Sequence, residues 1–287
     1  MGRICDLHTH TLHSDGTFTP EELVSAAYEA GISAIALTDH NGVAGLDEFM
    51  SAASRRGIIG VAGTEFSTDY EGRELHVLGL FIPRERYSDV TEFIGDLKER
   101  KHESNMRLVE CLSDIGLKVD YGELITAAPD GYVNRAHIAA AMLKRGYVSS
   151  VREAFDTYLS KKAGYYVSPD HPDVFETISF IDSIGGISVM AHPLLQLTLR
   201  ELEAMLPRAI EHGLDGIETQ YSLYSAEDRQ RSAALAKKYG LCESGGSDFH
   251  GDNKPDQHLG TGRGDLVVPF EIYEKLAQRA SQRRQYD

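Results

Sequence analysis

Three histidines and two aspartates fall between Asp6 and Asp15, within ten residues of each other near the start of this chain. Imidazole and carboxylate groups hold zinc, manganese or iron in proteins, and they carry protons in hydrolytic reactions. His8 and His10 are two residues apart in CDLHTH, a segment typical of a strand, so their side chains point the same way. Two ligands of one metal ion would have this spacing, but HxH is common and indicates little unless similar residues recur elsewhere in the chain.

Residues of the same types recur along the rest of the chain. Further predicted strands carry Asp39 and His40 in TDH, Glu65 in GTE, His76 in ELHVLG, His192 in VMAHP, and Asp248 and His250 in GSDFH. The carboxyl ends of parallel strands meet on one face of a barrel. Burying so many polar groups without partners would be costly. We therefore expect a shared metal cluster at this face.

Several residues near these motifs are open to more than one interpretation or are expected outside the ligand set. Asp15 in SDG is interpreted either as a turn residue or as a ligand, whereas His13 is expected at the rim of the pocket. Asp39 is expected to face away from the metals and to orient a ligand imidazole. Glu218 also ends a predicted strand, and a structural salt bridge is favoured there over a ligand role.

The elements that must position these residues alternate along the first third and the last third of the chain. Strand-like segments are separated by helical patterns at Pro20–Ala30, with Thr19 as N-cap, and at Leu46–Arg56, ending at Gly57. Strands alternating with helices predict a mostly parallel sheet with helical crossovers.

Residues 86–171 break this rhythm with long, polar, amphipathic helical patterns. We predict an α/β core formed by 1–85 and 172–287, and an inserted helical subdomain at 86–171 that contributes to substrate binding. The insert carries 12 Lys and Arg against 13 Asp and Glu, and the rest of the chain carries 17 against 31. Either the core simply has an acidic exterior, or the insert supplies cations for an anionic ligand.

Composition restricts the class of protein. The three cysteines, Cys5, Cys111 and Cys242, are too scattered for a disulfide framework or a thiolate zinc site. A net charge of -15 disfavours a general nucleic-acid or membrane surface, so we expect neither a membrane partner nor stable binding of duplex DNA. A phosphorylated small substrate stays possible because bound cations invert the local field. The expected location is cytoplasmic.

Taken in order, HxH, SDG, TDH, GxE, a strand histidine, HP and GSDFH resemble the polymerase and histidinol phosphatase (PHP) family. The match extends over 1–85 and 172–287. The resemblance implies a distorted seven-stranded (β/α) barrel, two or three divalent metal ions and phosphoester hydrolysis. The metals it implies are manganese, zinc, iron or magnesium.

The resemblance also implies a set of metal ligands. One ion would take His8, His10, Glu65 and Asp248. A second would share Glu65 and add His76 and His192. A third would take Asp15, His40 and His250. Some family members have a histidine at the position of Asp15, and the aspartate here favours a harder ion.

Within the predicted insert, NRAHIA is similar to the R-x-H segment of the PHP branch that acts on nucleoside phosphates and short RNA. Asn134, Arg135 and His137 are therefore expected to bind substrate at the start of a helix, where the helix dipole favours an anion. Alternatively, Arg135 pairs with an acidic core residue. Lys161 and Lys162 are expected to line the same cleft.

The expected chemistry is attack on a phosphoester by hydroxide that divalent metals activate. Asp248 is expected to orient the attacking water, His192 or His250 to protonate the leaving group, and Arg135 to stabilise charge. Neither a GxSxG motif nor a cysteine within these motifs offers a covalent nucleophile. The expected substrates are 3',5'-bisphosphonucleotides or 5'-phosphorylated short RNA ends.

Three alternatives remain at this point. A histidinol-phosphate phosphatase would use the same metal site on another phosphorylated small molecule. An amidohydrolase-type metal hydrolase typically carries a metal-bridging lysine, and here Glu65 occupies the bridging place. A metal-binding protein without turnover would not need a phosphate-binding insert.

The NRAHIA segment yields a first prediction. Arg135→Ala should lower kcat/KM on 3',5'-bisphosphates far more than on a simple aryl phosphate, because only the former has a second phosphate for Arg135 to bind. Steady-state kinetics on both substrates measure the difference. Equal losses on the two substrates would contradict the specificity role.

Overall fold

The structure, a computed structural model, describes residues 2–127, 133–167 and 170–283. One sheet contains seven strands whose spatial order follows the chain. They are β1 (Ile4–Asp6), β2 (Ile32–Leu37), β3 (Ile59–Tyr70), β4 (Arg73–Leu80), β5 (Ile187–Ala191), β6 (Gly216–Tyr221) and β7 (Cys242–Gly246). Beyond β1, the Leu7 N–H donates to Gly245 O at 3.1 Å and the Asp248 N–H donates to His8 O at 2.9 Å. The sheet thus nearly closes into a barrel, as predicted.

Helices surround this sheet. They are α1 (Pro20–Glu29), α2 (Leu46–Arg56), α3 (Tyr87–Phe93), α4 (Gly95–Asp114), α5 (Tyr121–Ala127), α6 (Arg135–Lys144), α7 (Val151–Ala154), α8 (Val174–Ser183), α9 (Leu199–Glu211), α10 (Ala226–Tyr239) and α11 (Phe270–Arg283). None of the helices in the described ranges combines the length and the apolar character of a membrane span.

The first two helices begin and end where their sequence signals indicate. Thr19 caps α1, its side chain accepts from the Glu22 N–H, and Glu22 bonds back to the Thr19 backbone as a capping box. Gly57 follows α2 in the left-handed conformation, with φ of 71°. These local interactions fix the ends of the helices that cross over between β1, β2 and β3.

Strand β4 departs from the parallel pattern. It pairs antiparallel with both β3 and β5, whereas the other neighbouring pairs are parallel. His76, in the first half of β4, lies opposite Ser67 on one side and Ala191 on the other. The reversal of β4 therefore brings His76 to the same barrel end as the carboxyl ends of β3 and β5.

The segment between β4 and β5 is mainly helical. The long amphipathic pattern after residue 86 forms two helices, α3 and α4, that meet at Ile94 rather than one continuous helix. Helices α4 to α7 contribute to a buried cluster of their own, which includes Leu108, Leu112, Ile138 and Met142. The division into a barrel and an inserted subdomain stays a prediction.

Gly246, at the end of β7, allows the barrel to close. A Cβ at this position would lie 2.4 Å from His8 Cβ and 2.5 Å from His8 N. Gly246→Ala should therefore lower the free energy of unfolding by about 2–3 kcal/mol, the usual cost of overpacking, and should displace His8. Chemical denaturation measures the change. Gly95→Ala is the matched control, because no atom lies within 4 Å of its added Cβ; a similar loss in both variants would refute this packing argument.

Candidate active site

Glu65 lies at the centre of a cluster of imidazoles, here called the histidine cluster (His8, His10, His40, His76, His192 and His250). Its Oε2 is 3.3 Å from His8 Nε2, 3.3 Å from His10 Nε2 and 3.1 Å from His40 Nδ1. Its Oε1 is 2.8 Å from His76 Nδ1 and 3.0 Å from His192 Nε2. One carboxylate thus contacts histidines from several different strand ends.

Two aspartates complete the cluster around His250. Asp248 Oδ1 lies 3.3 Å from both His10 Nε2 and His250 Nδ1. Asp15 Oδ1 lies 3.0 Å from His250 Nε2 and 3.7 Å from His40 Nε2. The structure therefore brings together all nine residues predicted as metal ligands, although their assignment to particular ions stays a prediction.

The donor atoms of this cluster fit divalent metal ions. His8 Nε2, His10 Nε2, His40 Nδ1, His250 Nε2 and Glu65 Oε2 are buried and have no hydrogen-bond partner among the described residues. Such orphaned atoms are costly unless another group satisfies them. Atoms that bind one ion at about 2.1 Å lie roughly 3.0–3.4 Å apart, close to the separations around Glu65 Oε2.

Ligand atoms within 4.8 Å of one another form three groups in the described part of the chain. They are His8, His10 and Glu65; His40, Glu65 and His76; and His10, Asp15, His40 and His250. Imidazole nitrogens and carboxylate oxygens without a thiolate suit zinc, manganese or iron. This grouping supports more than one ion in the pocket.

Charges in the cluster compensate one another. Burial alone would raise the pKa of Glu65, but its electrostatic interactions with the His40, His76 and His8 imidazoles hold that pKa well below its usual value. Burial disfavours protonation of His10, yet the nearby carboxylates of Asp248 and Glu65 raise its pKa to about 9. Burial prevails at His40 and lowers its pKa to about 3. Metal binding must therefore displace protons from part of the cluster.

Glu218 contacts two members of the histidine cluster, His8 and His192. It is completely buried on β6, its Oε1 lies 3.0 Å from His8 Nδ1, and its Oε2 accepts from the His192 N–H at 2.6 Å. His192 has a φ of 30°, a conformation that a non-glycine residue adopts only when its surroundings enforce it. Glu218 therefore orients one candidate ligand and stabilises the backbone of another, and it lies outside the three groups of ligand atoms.

Asp39 orders the loop that carries Asp15. Its carboxylate accepts from the Thr11 N–H at 2.7 Å, the Thr11 hydroxyl at 2.5 Å and the Ser14 hydroxyl at 2.6 Å. The Ser14 Oγ lies 3.5 Å from His10 Nδ1. Asp39 thus reaches an imidazole through Ser14 rather than by direct contact.

Two residues that the sequence analysis did not select hold Asp248. Its Oδ2 accepts from the Tyr221 hydroxyl at 2.8 Å and lies 2.8 Å from Lys254 Nζ. Oδ1 is left facing the histidine cluster, and Asp248 has a φ of 55°. No spacing rule identifies Lys254, which lies in an irregular loop after β7. Its position depends on how that loop folds back.

The predicted substrate residues have unequal roles in the structure. Asn134 caps α6, because its Oδ1 accepts from the Ala136 and His137 N–H groups and its Nδ2 donates to Ser14 O at 3.3 Å. His137 Nδ1 accepts from the Asn134 N–H at 3.1 Å. The Asn134 side chain thus connects the helix to the barrel loop, His137 completes the cap, and Asn134 and Arg135 both line the cleft beside the cluster.

A cleft of about 170 Å³ adjoins the histidine cluster and is here called the anion cleft. Its lining includes Lys101 and Arg135. Lys161 and Lys162 are exposed in a single 3-10 turn, and neither is part of this lining. A role for Lys161 and Lys162 in substrate binding therefore stays a prediction, and Lys101 is the lysine that the structure adds.

A family model agrees with this geometry. The model described as "PHP domain" matches residues 6–168, more than half of the chain. The matched segment begins two residues before His8 and extends past the NRAHIA segment.

Relatives of known activity cover nearly the whole chain. A 5'-3' exoribonuclease from Haemophilus influenzae is 34% identical over 251 residues, which cover 87% of this chain and 91% of that protein. A phosphoribosyl 1,2-cyclic phosphate 1,2-diphosphodiesterase from Eggerthella lenta is 33% identical, covering 89% of this chain and 97% of that protein. A 3',5'-nucleoside bisphosphate phosphatase from Chromobacterium violaceum is 30% identical, covering 89% and 90%.

Solved structures show the same architecture. A protein assigned as a metal-dependent phosphoesterase from Bifidobacterium adolescentis superimposes with a TM-score of 0.85 at 28% identity, covering 96% of both chains. An amidohydrolase from Chromobacterium violaceum, with bound sulfate and no metal, superimposes with a TM-score of 0.82 at 27% identity and the same coverage.

The position of Glu218 yields a prediction. Glu218→Gln should lower metal affinity and kcat by about 10–100-fold, the usual effect of removing a partner that orients a ligand, because an amide cannot replace the charge beside His8 Nδ1. Metal content after dialysis and steady-state kinetics measure both effects. Glu243→Gln is the control, since Glu243 accepts from the Thr219 hydroxyl, at 2.9 Å, on the neighbouring strand and lies outside the three groups of ligand atoms. Unchanged metal content in Glu218→Gln would contradict the orienting role.

Proposed function

This chain belongs to the PHP domain family and is a metal-dependent phosphoesterase, and we propose that it hydrolyses phosphate esters of nucleotides. The substrates we propose are 3',5'-bisphosphonucleotides or 5'-phosphorylated short RNA ends. Residues 86–171 would contribute the substrate-binding helices. The enzyme would work in the cytoplasm.

One observation carries this proposal. Buried donor atoms that find no hydrogen-bond partner in the described part of the chain converge around Glu65 Oε2, and the anion cleft opens from that cluster toward Arg135. A site for divalent ions next to a guanidinium suits a substrate with one phosphate to hydrolyse and another to hold.

The chain's own residues would share the work of catalysis. The histidine cluster with Asp15, Glu65 and Asp248 would hold two or three divalent ions, which activate water and neutralise the phosphoryl oxygens when bound. Asp248 Oδ2 contacts Tyr221 and Lys254. The other carboxylate oxygen, Oδ1, would therefore face the reacting water. Arg135 would bind the second phosphate and fix the substrate in place.

The leaving oxygen needs a proton, and a histidine at the edge of the cluster could deliver it. The His192 side chain is 12% exposed, whereas that of His250 is 1% exposed. We therefore favour His192 over His250 as the proton donor, because a donor must reach the substrate; in that role His192 would not be one of the metal ligands. His250 instead lies between Asp15 and Asp248 and suits a ligand role.

The alternatives fit less well. An amidohydrolase-type enzyme would carry a bridging lysine where this cluster has Glu65. A metal-binding protein without turnover would leave the anion cleft unexplained. A histidinol-phosphate phosphatase would need no second anion site, whereas Arg135 and Lys101 both line the anion cleft.

A panel of substrates tests the proposal. The chain is freed of metal by chelation, reloaded with zinc, manganese or iron, and assayed for release of phosphate or 5'-nucleotide. We expect metal-dependent turnover of adenosine 3',5'-bisphosphate or 5'-phosphorylated diribonucleotides, and little turnover of histidinol phosphate or amide substrates. Metal content measured on the same samples relates activity to occupancy.

Two variants provide controls for this panel. Asp248→Asn and His8→Ala should lower kcat by about 10³-fold or more, because each removes a candidate ligand, and circular dichroism should show a retained fold. Faster turnover of histidinol phosphate or an amide than of nucleotides, or the absence of turnover with every metal, would refute the proposed function.

A further inference from the structure

The anion cleft has two sides of different character. Asp15, His40 and His76 line the side toward the histidine cluster, and Glu74, Lys101 and Arg135 line the other side. The two sides belong to one cavity, so a group held at the second side can be part of the same molecule as the reacting phosphate. The second side therefore selects substrates by the group that they carry away from the reacting phosphate.

Arg135 is fixed in this cleft. Its guanidinium carbon lies 4.1 Å from the centroid of the Tyr166 ring and 5.8 Å from that of Phe155. Its Nη1 donates to Leu159 O at 3.2 Å. Stacking on a buried ring and one backbone hydrogen bond hold the guanidinium in a single orientation, with its remaining N–H groups left for other partners.

Lys101, from α4, brings a second cation to the same ring. Its Nζ donates to the Tyr166 hydroxyl at 3.3 Å and lies 5.8 Å from the ring centroid. Two cations from two different helices thus lie around one tyrosine at the second side of the cleft. They form a pair suited to a phosphate group.

Glu74 lies among these cations. Its Oε2 is 3.9 Å from Arg135 Nη2, and its Oε1 is 3.4 Å from His76 Nε2 and 3.7 Å from His171 Nε2. Glu74 and His76 are two residues apart on β4, so both side chains point to the same face. The Glu74 side chain is only 19% exposed, which places a carboxylate beside the two cations at this side of the cleft.

The carboxylate of Glu74 offsets part of the positive charge at this side of the cleft. Arg135 and Lys101 bring two cations, and Glu74 Oε2 lies 3.9 Å from Arg135 Nη2. The cavity that these three side chains line has a volume of about 170 Å³. Both the charge and the space available to an anion are therefore restricted here.

We propose that Glu74 is a specificity-determining residue that restricts the anion cleft to one terminal phosphate group. A di- or triphosphate adds negative charge and volume next to a carboxylate that already offsets part of the positive charge of Arg135 and Lys101. The enzyme would then accept a 5'-monophosphorylated end and discriminate against a 5'-triphosphorylated end. This inference rests on the proposed function, and it names the form of the substrate that the same site accepts.

The test compares two dinucleotide substrates, 5'-monophosphorylated and 5'-triphosphorylated ApA. Chromatography measures the rate at which the internucleotide bond of each is cleaved. We expect wild-type kcat/KM to be at least about tenfold higher for the monophosphate, the size of effect that one unit charge exerts at a partly exposed position. Glu74→Gln should reduce this ratio about tenfold, and Glu74→Asp should preserve it. Glu74 also contacts His76, so a substitution at Glu74 can lower the activity on both dinucleotides by disturbing the histidine cluster. Such a general loss would leave the ratio of the two kcat/KM values unchanged.

Two further variants complete the design. Glu103→Gln removes a carboxylate from the same helix as Lys101, where Glu103 pairs with Arg107, and it should leave the ratio unchanged. Lys101→Met removes a cation from the cleft and should increase the preference for the monophosphate, which tests the charge argument independently of Glu74.

The outcomes separate the two proposals. If the wild-type enzyme cleaves neither dinucleotide nor any bisphosphate, the proposed function fails. If it cleaves both dinucleotides at similar rates, or if Glu74→Gln leaves their ratio unchanged, the role of Glu74 is overturned and the phosphoesterase assignment stands.

Discussion

The structure depends on the burial of one carboxylate, that of Glu65, against five imidazoles. A buried carboxylate is stable only when cationic or hydrogen-bonding groups surround it. In this barrel those groups come from strand ends that are far apart in the chain, so the barrel must close before the site exists. Divalent ions would satisfy the same carboxylate more completely, which couples metal binding to the integrity of the fold.

A layer of supporting contacts maintains this arrangement. Glu218 holds His8 and the His192 backbone, Asp39 holds the Thr11–Ser14 loop, and Tyr221 with Lys254 holds Asp248. His192 and Asp248 both have positive φ values, so their backbones depend on these contacts. The positions of the candidate ligands are therefore set largely by residues that do not belong to the ligand groups.

The barrel supplies the candidate metal ligands, and the helices between β4 and β5 supply residues that line the adjoining anion cleft. The hydrogen bond from Asn134 Nδ2 to Ser14 O connects α6 to the loop that carries Asp15. This contact helps to set the position of Arg135, on α6, relative to the histidine cluster. Glu74 belongs to the barrel and Arg135 to the helical segment, yet they lie 3.9 Å apart. Charge in the cleft is thus decided jointly by the two parts of the chain.

The sequence by itself determined the chemistry of the site. Histidine and carboxylate types in short motifs such as HxH and TDH, together with capped helices such as α1, follow from local spacing, and in the structure these residues lie at one barrel end. The tertiary structure alone decided that β4 runs antiparallel, that Glu218 supports ligands, and that Lys254 and Glu74 face the site. These facts depend on contacts between residues up to about two hundred positions apart, and local periodicity carries no information about which distant side chains will meet.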